Sequence, residues 1–322
     1  RLWLNDRITD EEIPNLPYLT LDKDSVEYEY LHSRRKALHG YLPQRSSKFS
    51  GEFKVPELQE FESLLTEQSR EISTTLAFVR ALNILLKNKS ISEHIVPIVA
   101  DEARTFGMEG LFRQIGIYNP HGQNYVPQDR EGVSYYKETI SGQVLQEGIN
   151  ELGAISSWVA AATSYSTHDL PMVPFYIFYS MFGFQRVGDM TWLAGDQQAR
   201  GFLLGATAGR TTLNGEGLQH EDGHSHILAS TVPNCISYDP TFGYEMVVII
   251  QDGLRRMYGP DQENIYYYIT LMNETYHQPA MPEGVEEGIC KGIYKLLSQH
   301  GKKTKVQLLG SRTTLNQVIK AS

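Results

Sequence analysis

Short apolar runs alternate with helical patterns through the middle of the 322-residue chain. Most of the runs are apolar at consecutive positions rather than at every second one, which is typical of strands covered on both faces. Such runs occupy residues 95–100, 144–149, 173–179, 202–206, 234–238 and 265–271. Because strands and helices alternate, we expect an α/β fold with a parallel sheet of about six strands and helices on both faces.

Helical spacing of apolar residues fills the segments between these runs. We expect helices near residues 108–112, 152–164, 181–195, 226–230 and 243–258. A longer helical pattern begins at Glu57 and extends to about Leu86, before the first strand.

The two ends of the chain have a different pattern. Residues 1–57 contain Pro14, Pro17, Pro43 and Pro56 without sustained periodicity, which predicts an extended N-terminal arm or linker. Residues 58–277 form the predicted α/β domain. After a proline-rich link, residues 278–322 begin a further unit, with a short strand at 306–309 and a helix from near Thr313. The chain starts at Arg1 and stops within this helical pattern, so we expect both ends to be cut.

Several chemically active side chains follow the predicted strands directly. In open parallel sheets, ligands collect at the carboxyl ends of the strands. Those ends carry Asp101 with Glu102, Glu151, Tyr179 with Phe182, the loop 209–226 and Asp239. We therefore expect carboxylates, aromatic rings and a histidine-containing loop to share one rim of the sheet.

Glu151 is the residue around which this site is predicted. It follows Gly148 and opens an apolar run at helical spacing, so it lies at or near the first turn of a helix. A carboxylate in that position is stabilised by the free N–H groups and the positive end of the helix. A purely structural capping role is the alternative for this residue.

Composition narrows the classes of function. The net charge of −9 and the pI near 5.6 give no basic surface for nucleic acid. The longest apolar run, residues 172–184, is shorter than the about 20 residues that span a bilayer, so no membrane segment is expected. No leader pattern indicates export. Two cysteines without paired spacing suit a reducing cytoplasm.

Residues 220–224, His-Glu-Asp-Gly-His, match the H-E-x-x-H pattern of zinc hydrolases. That chemistry requires both histidines on one face of a helix. Asp222-Gly223 in the middle, with Gly215 and Gly217 upstream, favours a loop, so we expect no zinc site. Imidazoles that transfer protons or contact anions fit this loop better. For His224 and His226 themselves we expect a purely structural role, with the chemical role as the alternative.

Other motifs that would indicate a different enzyme class are missing from the sequence. It contains no G-x-S-x-G, no P-loop and no G-x-G-x-x-G before a helix. The dipeptides Gly188-Asp189 and Gly195-Asp196 lack the Gly-Asp-Gly that a diphosphate–magnesium site would need.

Four stretches together resemble one family. They are DEARTFGM at 101–108, QEGINELGA at 146–154, FYIFYSMFGF at 175–184 and LNGEGLQHEDGH at 213–224. The family is the decarboxylating first component of the bacterial pyruvate dehydrogenase complex, of the large homodimeric type. The resemblance runs from the arm to the last residue. It implies the thiamine-diphosphate-binding fold, with the pyrimidine-binding domain and the beginning of the C-terminal domain in this chain. The N-terminal diphosphate domain, with its Mg²⁺ ligands, would then lie outside it.

The resemblance also implies roles for individual residues. Glu151 matches the carboxylate that activates the pyrimidine of thiamine diphosphate, and Ile149 matches the apolar wedge that holds the two cofactor rings bent. Tyr179 and Phe182 match aromatic residues that pack the pyrimidine, with ordinary core packing as the alternative. His220 and Glu102 match residues that handle the pyruvate-derived intermediate. Asp101 and Glu216 would be supporting or dimer-interface groups.

The activity implied is oxidative decarboxylation of pyruvate, with reductive acetylation of a lipoyl group on the acyltransferase partner, in a cytoplasmic homodimer. Two alternatives remain open. One is a thiamine enzyme with another acceptor, as in transketolase-like proteins. The other is a non-catalytic fragment that only dimerises and supplies half of a cofactor site.

Overall fold

The computed structural model describes residues 2, 6–18, 20–37, 45–100, 103–128, 136–209, 217–298 and 306–322. The chain divides into two compact units, residues 1–45 and 46–322. The first unit contains helix α1 (Val26–Ala37), in which no residue is buried. The sequence pattern predicted an extended N-terminal arm. The structure differs, because part of this segment is helical. Acidic residues in the first turn of α1 and basic residues in its last turn complement the helix dipole and support an exposed helix.

The second unit is built on a parallel sheet. Its strands are β1 (Ile95–Val99), β4 (Leu145–Gln146), β5 (Val173–Tyr179), β6 (Phe202–Ala206), β7 (Cys235–Tyr238) and β8 (Tyr266–Thr270). They form a 6-stranded sheet in the order β4-β1-β5-β6-β8-β7, with every pairing parallel. The predicted parallel sheet is confirmed. Two short strands that the pattern did not predict, β2 (Ile117–Tyr118) and β3 (Glu138–Thr139), pair separately.

Helices cover both faces of this sheet. They are α2 (Glu62–Leu65), α3 (Thr74–Lys87), α4 (Gly110–Gln114), α5 (Glu151–Ala162), α6 (Ser164–His168), α7 (Gly183–Asp196), α8 (Ser225–Ala229), α9 (Gly243–Tyr258), α10 (Glu286–Cys290) and α11 (Thr314–Ala321). Side chains of α3 and α9 share one buried apolar cluster with Phe175 and Ile177 of β5. Side chains of α5 and α7 share the other with Tyr176 and Phe178. Successive residues of β5 thus point to opposite layers, which explains its continuous apolar run.

Two predictions about element boundaries were wrong. The helical pattern from Glu57 to Leu86 is divided into α2 and α3, because Ser73 starts a new helix by accepting a hydrogen bond from Leu76 N (3.1 Å). Ile72, just before it, pairs with Tyr276 in an isolated antiparallel bridge. The predicted strand at 306–309 has no strand structure, and its residues are exposed and pair with neither sheet.

Candidate active site

All strands of the main sheet are parallel, so their carboxyl ends lie at one rim. The residues that end the strands at this rim are Val99, Gln146, Tyr179, Ala206, Tyr238 and Thr270. The predicted site residues follow these ends in the chain. The structure places most of them in two clusters of side chains at the rim.

Glu151 opens helix α5, as the sequence predicted. Asn150 caps this helix through its Oδ1, which accepts a hydrogen bond from Gly153 N at 3.0 Å. Gly148, two residues earlier, has φ +70°, a left-handed conformation that glycine adopts without strain. This tight entry from β4 into α5 fixes the direction in which the Glu151 carboxylate leaves the helix.

Arg186 on α7 is the partner of Glu151. Its Nη1 donates a hydrogen bond to Glu151 Oε1 in an ion pair, with 49% of the arginine and 18% of the glutamate side chain exposed. The guanidinium carbon also lies 4.5 Å from the centroid of the Phe182 ring. Arg186 therefore connects the carboxylate of one rim element to the aromatic ring of another.

Tyr179, Phe182 and His220 form an aromatic cluster at the end of β5. The His220 ring lies 4.7 Å from the Tyr179 ring and 5.5 Å from the Phe182 ring, centroid to centroid. Tyr179 also contacts Phe106 at 5.2 Å. The structure thus brings together three of the sequence-predicted site residues, and through Arg186 it joins them to Glu151.

The ring nitrogen Nδ1 of His220 lies inside this cluster. It is buried and has no hydrogen-bond partner within the described ranges. Burial of such a nitrogen is unfavourable unless a partner is supplied, so this atom marks a place where a polar ligand or water can bind. Neutral imidazole can act as donor or acceptor at this position.

Ile149 precedes the capping residue of α5 and is 74% exposed. An isolated exposed isoleucine has no significance by itself. Here, however, it lies on the short turn between Gly148 and Glu151, next to the site carboxylate. It therefore presents an apolar side chain at the rim.

The H-E-x-x-H stretch is not one helix. His220 ends a 3-10 helix (Leu218–His220), Glu221 is extended, and His224 precedes α8. One ring nitrogen of His224, Nε2, lies 2.6 Å from Gln185 Nε2. No group of three or more histidine, cysteine, aspartate or glutamate residues suited to a metal ion occurs among the residues that the structure describes.

Asp222, inside the same stretch, is fully buried and organises the start of α8. Its Oδ1 accepts hydrogen bonds from His224 N (3.0 Å) and Ser225 N (2.9 Å), and its Oδ2 accepts one from Ser225 Oγ. Burial alone would raise the pKa of this carboxyl, but these hydrogen bonds outweigh it and lower the pKa below its usual value. Asp222 is therefore a structural carboxylate rather than a metal ligand.

Asp239, at the end of β7, belongs to a second polar cluster of the rim. Its Oδ1 accepts a hydrogen bond from Thr270 Oγ1 at 2.5 Å and forms an ion pair with Arg312. His226 Nε2 lies 3.0 Å from the same Thr270 hydroxyl and 3.9 Å from Asp239. This predicted rim residue thus lies with Arg312 and His226 rather than in the Glu151 cluster.

Asp101, Glu102 and Glu216 lie outside the described residues. The predicted role of Glu102 accordingly stays a prediction. Sequence reasoning missed Arg186 and Arg312. The position of Arg186, four residues after Phe182 on the helix that begins at Gly183, is a signal that could have found it. No local pattern marks Arg312, which reaches the rim from far along the chain.

The family described as pyruvate dehydrogenase E1 component middle domain matches residues 55–279, well over half of the chain. The chain belongs to this family. The resemblance seen in the sequence is confirmed. The match begins just before α2 and ends shortly after β8, so it contains the sheet and both rim clusters except Arg312.

Curated relatives in this family are similar over nearly the whole chain. The pyruvate dehydrogenase E1 component of Escherichia coli K12 is 68% identical over 318 residues, which cover 99% of this chain and 36% of the relative. Those of Haemophilus influenzae (64% over 317 residues) and Pseudomonas aeruginosa (58% over 318 residues) each cover 98% of this chain and 36% of the relative. The chain therefore spans about a third of the length of the relatives it matches.

Solved structures with a similar fold are transketolases. The transketolase of Leishmania mexicana has a TM-score of 0.54 at 13% identity, covering 72% of this chain and 30% of its own. A Pichia stipitis transketolase has a TM-score of 0.53 at 14% identity, covering 77% and 32%. At this identity the likeness establishes a shared fold only. None of the described helices has both the length and the apolar character that crossing a bilayer requires.

Proposed function

We propose that this chain supplies the pyrimidine-facing half of a thiamine-diphosphate site in an acetyl-transferring pyruvate dehydrogenase. The reaction is oxidative decarboxylation of pyruvate with reductive acetylation of a lipoyl group. The observation that carries the proposal is Glu151 in the first turn of α5, connected through Arg186 to the ring cluster of Tyr179, Phe182 and His220. Family membership and the 68% identity to the E. coli component support it.

The described residues fit the pyrimidine part of the cofactor. A flat aminopyrimidine requires apolar and aromatic surfaces for its faces and a carboxylate for its ring nitrogen. The rings of Tyr179 and Phe182, the exposed side chain of Ile149 and the Glu151 carboxylate provide these groups at one rim. The buried, unbonded Nδ1 of His220 lies beside these groups and is a polar atom that the substrate can satisfy.

Each residue then has a defined task. When bound, thiamine diphosphate supplies the nucleophilic carbon and the electron sink that decarboxylation of a 2-oxo acid requires. Glu151 would hold a proton toward the pyrimidine nitrogen and so favour the basic form of the amino group. Ile149 would support the cofactor with its apolar side chain, and Tyr179 and Phe182 would pack against the pyrimidine.

His220 is proposed to serve the substrate rather than the cofactor. An imidazole at the rim can donate a hydrogen bond to the carbonyl oxygen or carboxylate of pyruvate, and it can transfer a proton near neutral pH. Glu102, in the segment that follows β1, is proposed for the same intermediate. The rings of Tyr179 and Phe182 pack against the imidazole of His220 and restrict its orientation.

The magnesium and diphosphate contacts are proposed to come from a domain beyond this chain. Mg²⁺ requires hard oxygen ligands in near-octahedral geometry. Within the described residues no cluster of three or more potential ligand side chains occurs. Since the chain spans 36% of its relatives, the remaining residues of the full protein have ample room for such a domain. We therefore propose a homodimer whose cofactor sites form between domains.

The acetyl acceptor is proposed to be the lipoyl arm of an acyltransferase partner in the cytoplasm. The second candidate is a transketolase-like enzyme that uses another acceptor, with which the shared fold is compatible. Identities of 13% and 14% to transketolases, against 58% and more to the pyruvate dehydrogenase components, support the first candidate. The third reading is a dimerisation fragment without catalytic function.

One experiment separates these candidates. A full-length chain that carries this segment is supplied with thiamine diphosphate, Mg²⁺ and pyruvate, and carbon dioxide release is measured with ferricyanide or a lipoyl domain as acceptor. The proposal predicts release with both acceptors and acetylation of the lipoyl domain by mass. Transfer of a two-carbon unit between sugar phosphates, without pyruvate turnover, would establish the transketolase-like alternative instead.

A further inference from the structure

A second polar cluster of the rim lies at the carboxyl ends of β6, β7 and β8. Arg312, from the segment just before α11, enters it with 4% of its surface exposed. Its Nε donates to Asp239 Oδ1, and its Nη1 donates to the carbonyl oxygen of Ala208 at 2.7 Å. Ser311 Oγ donates to Asp239 Oδ2 at 3.1 Å. A segment late in the chain is thus joined to the ends of two strands.

The conformation of Arg312 is unfavourable by itself. Its φ of +53° lies in the left-handed region, which residues other than glycine, asparagine and aspartate seldom adopt. Its guanidinium is buried, and Nη2 has no hydrogen-bond partner among the residues that the structure describes. Strain and incomplete bonding of a buried charge persist where the surrounding structure imposes them, and such sites are often functional.

A short series of contacts connects Arg312 to His220. Ala208, whose carbonyl Arg312 binds, is also held by its own N–H, which donates to Leu271 O at 3.0 Å. The next residue, Gly209, accepts a hydrogen bond from Asp222 N at 3.0 Å. Asp222 follows His220 by two residues and is fixed at the start of α8. The backbone of Ala208 and Gly209 is therefore hydrogen-bonded on one side to Leu271 and on the other to Asp222, which lies in the segment that carries His220.

We infer that Arg312 is a positioning residue for His220. It clamps the Ala208 carbonyl and so fixes the backbone that holds the imidazole against Tyr179 and Phe182. Arg312 lies beyond residues 55–279, so the geometry of a residue in the middle domain depends on the segment that follows it. The catalytic consequence of this inference rests on the proposed function, whereas the structural consequence does not.

The test uses full-length protein in wild-type form and with three substitutions. Arg312→Met removes both donors and the charge at similar length. Arg312→Lys keeps the charge but cannot bind Asp239 and Ala208 through one planar fork. Arg256→Met is the matched control, because Arg256 also pairs with a carboxylate, Glu263 (2.7 Å), but lies near the amino end of β8 beside Tyr267. Thermal unfolding is recorded for all four proteins.

The decisive readout is the reactivity of His220 itself. The imidazole is acylated with diethyl pyrocarbonate, and the rate at His220 is followed by peptide mass spectrometry without cofactor or substrate. We expect this rate to rise several-fold in Arg312→Met and to stay unchanged in Arg256→Met. In Arg312→Lys it should lie between the wild-type rate and that of Arg312→Met. The kcat for pyruvate should fall roughly tenfold in Arg312→Met, as for a small misplacement of a catalytic group. The affinity for thiamine diphosphate should not change.

The outcomes are distinguishable. If Arg312→Met unfolds at a lower temperature but His220 reacts at the wild-type rate, Arg312 is only structural and the inference is overturned. If Arg256→Met alters His220 as strongly, the effect is general destabilisation and the inference fails as well. If His220 responds as expected while wild-type protein does not decarboxylate pyruvate, the positioning role stands and the proposed function fails.

Discussion

Arg186 determines how easily the Glu151 carboxylate can exchange partners. It pairs with Glu151 but is half exposed, and its guanidinium also covers the Phe182 ring. Ion pairs of such exposure contribute about 0–1 kcal/mol, because water and salt screen them. In the proposed function, a pyrimidine nitrogen would therefore replace Arg186 at Glu151 with little cost.

The first prediction concerns the Glu151 carboxylate. Glu151→Gln is nearly isosteric, so the fold should remain intact in the full-length protein. Decarboxylation of pyruvate should fall by a factor on the order of 10² or more, because a positioned acid–base group is lost. The rate is measured as carbon dioxide release at saturating cofactor.

A matched control for this prediction is Glu286→Gln. Glu286 also lies in the first turn of a helix, α10, but is remote in sequence from the strand ends of the rim. It should retain full activity. Wild-type turnover in Glu151→Gln would remove the residue from its proposed role.

The second prediction concerns zinc. His220 and His224 lie on different elements, with Glu221 extended between them, so their imidazoles do not share a helical face. Elemental analysis of protein purified without chelator should give far less than one zinc per chain. A stoichiometric zinc that disappears in His220→Gln and His224→Gln would revive the hydrolase hypothesis.

At the scale of elements, long apolar runs were the reliable signal. The bounds of β5, β6 and α9 agree with those that the sequence pattern predicts. Each is buried along most of its length, so its apolar residues follow one another closely enough to mark its bounds. Glu151 at the start of α5 followed from the same logic, because the apolar run begins directly behind it.

Where a contact across the chain decides the structure, the sequence pattern was insufficient. β4 is shorter than the strand predicted at 144–149, because Gly148 turns the chain away from β1. The break between α2 and α3 depends on Ser73 and on the bridge from Ile72 to Tyr276. Arg312 joins Asp239 and Ala208 across more than seventy residues, which periodicity does not reveal.

The third prediction follows from that break. Ser73→Ala removes the side-chain oxygen that accepts from Leu76 N and should lower the free energy of unfolding by about 1 kcal/mol. Urea denaturation measures the difference. The control is Ser63→Ala on α2, an exposed position where alanine should be neutral or slightly stabilising. Equal stability of both variants would show that the cap contributes nothing.

The fourth prediction concerns the pH dependence of the turn into α8. Hydrogen bonds lower the pKa of Asp222 in the folded state, so its contribution to stability is complete above the unfolded pKa of about 3.9. It is lost as the pH falls through the lower, folded value. Asp222→Asn should therefore cost roughly 1–3 kcal/mol at pH 7. The difference from wild type should shrink below pH 4.

Urea unfolding at several pH values tests this dependence. Asp261→Asn, at an exposed turn after α9, should match wild type throughout. A difference for Asp222→Asn that stays constant from pH 7 into the acid range would contradict the assignment of a lowered pKa to this carboxyl.

At the scale of the whole molecule, the chain carries a net charge of −9 and is proposed to supply half of a cofactor site. The proposed cofactor brings two phosphates, which such a charge repels unless a cation site neutralises them. The fifth prediction is that the 322-residue chain alone binds thiamine diphosphate with Mg²⁺ only in the millimolar range or not at all.

Titration calorimetry of the chain with cofactor and Mg²⁺ tests the fifth prediction, with pyruvate turnover measured in parallel. No carbon dioxide release is expected. Micromolar binding together with release of carbon dioxide would place the diphosphate site within these residues and overturn the proposed division of the site between domains.

The strand order has a consequence for synthesis on the ribosome. β7 leaves the ribosome before β8, yet it lies at the sheet edge and pairs with β8 rather than with β6. A nascent chain therefore carries β7 unpaired until residue 270 has emerged, with an open strand edge that invites mispairing. Arg312 emerges later still, so a chain stalled between β8 and α11 would contain a complete sheet whose His220 segment has yet to be clamped.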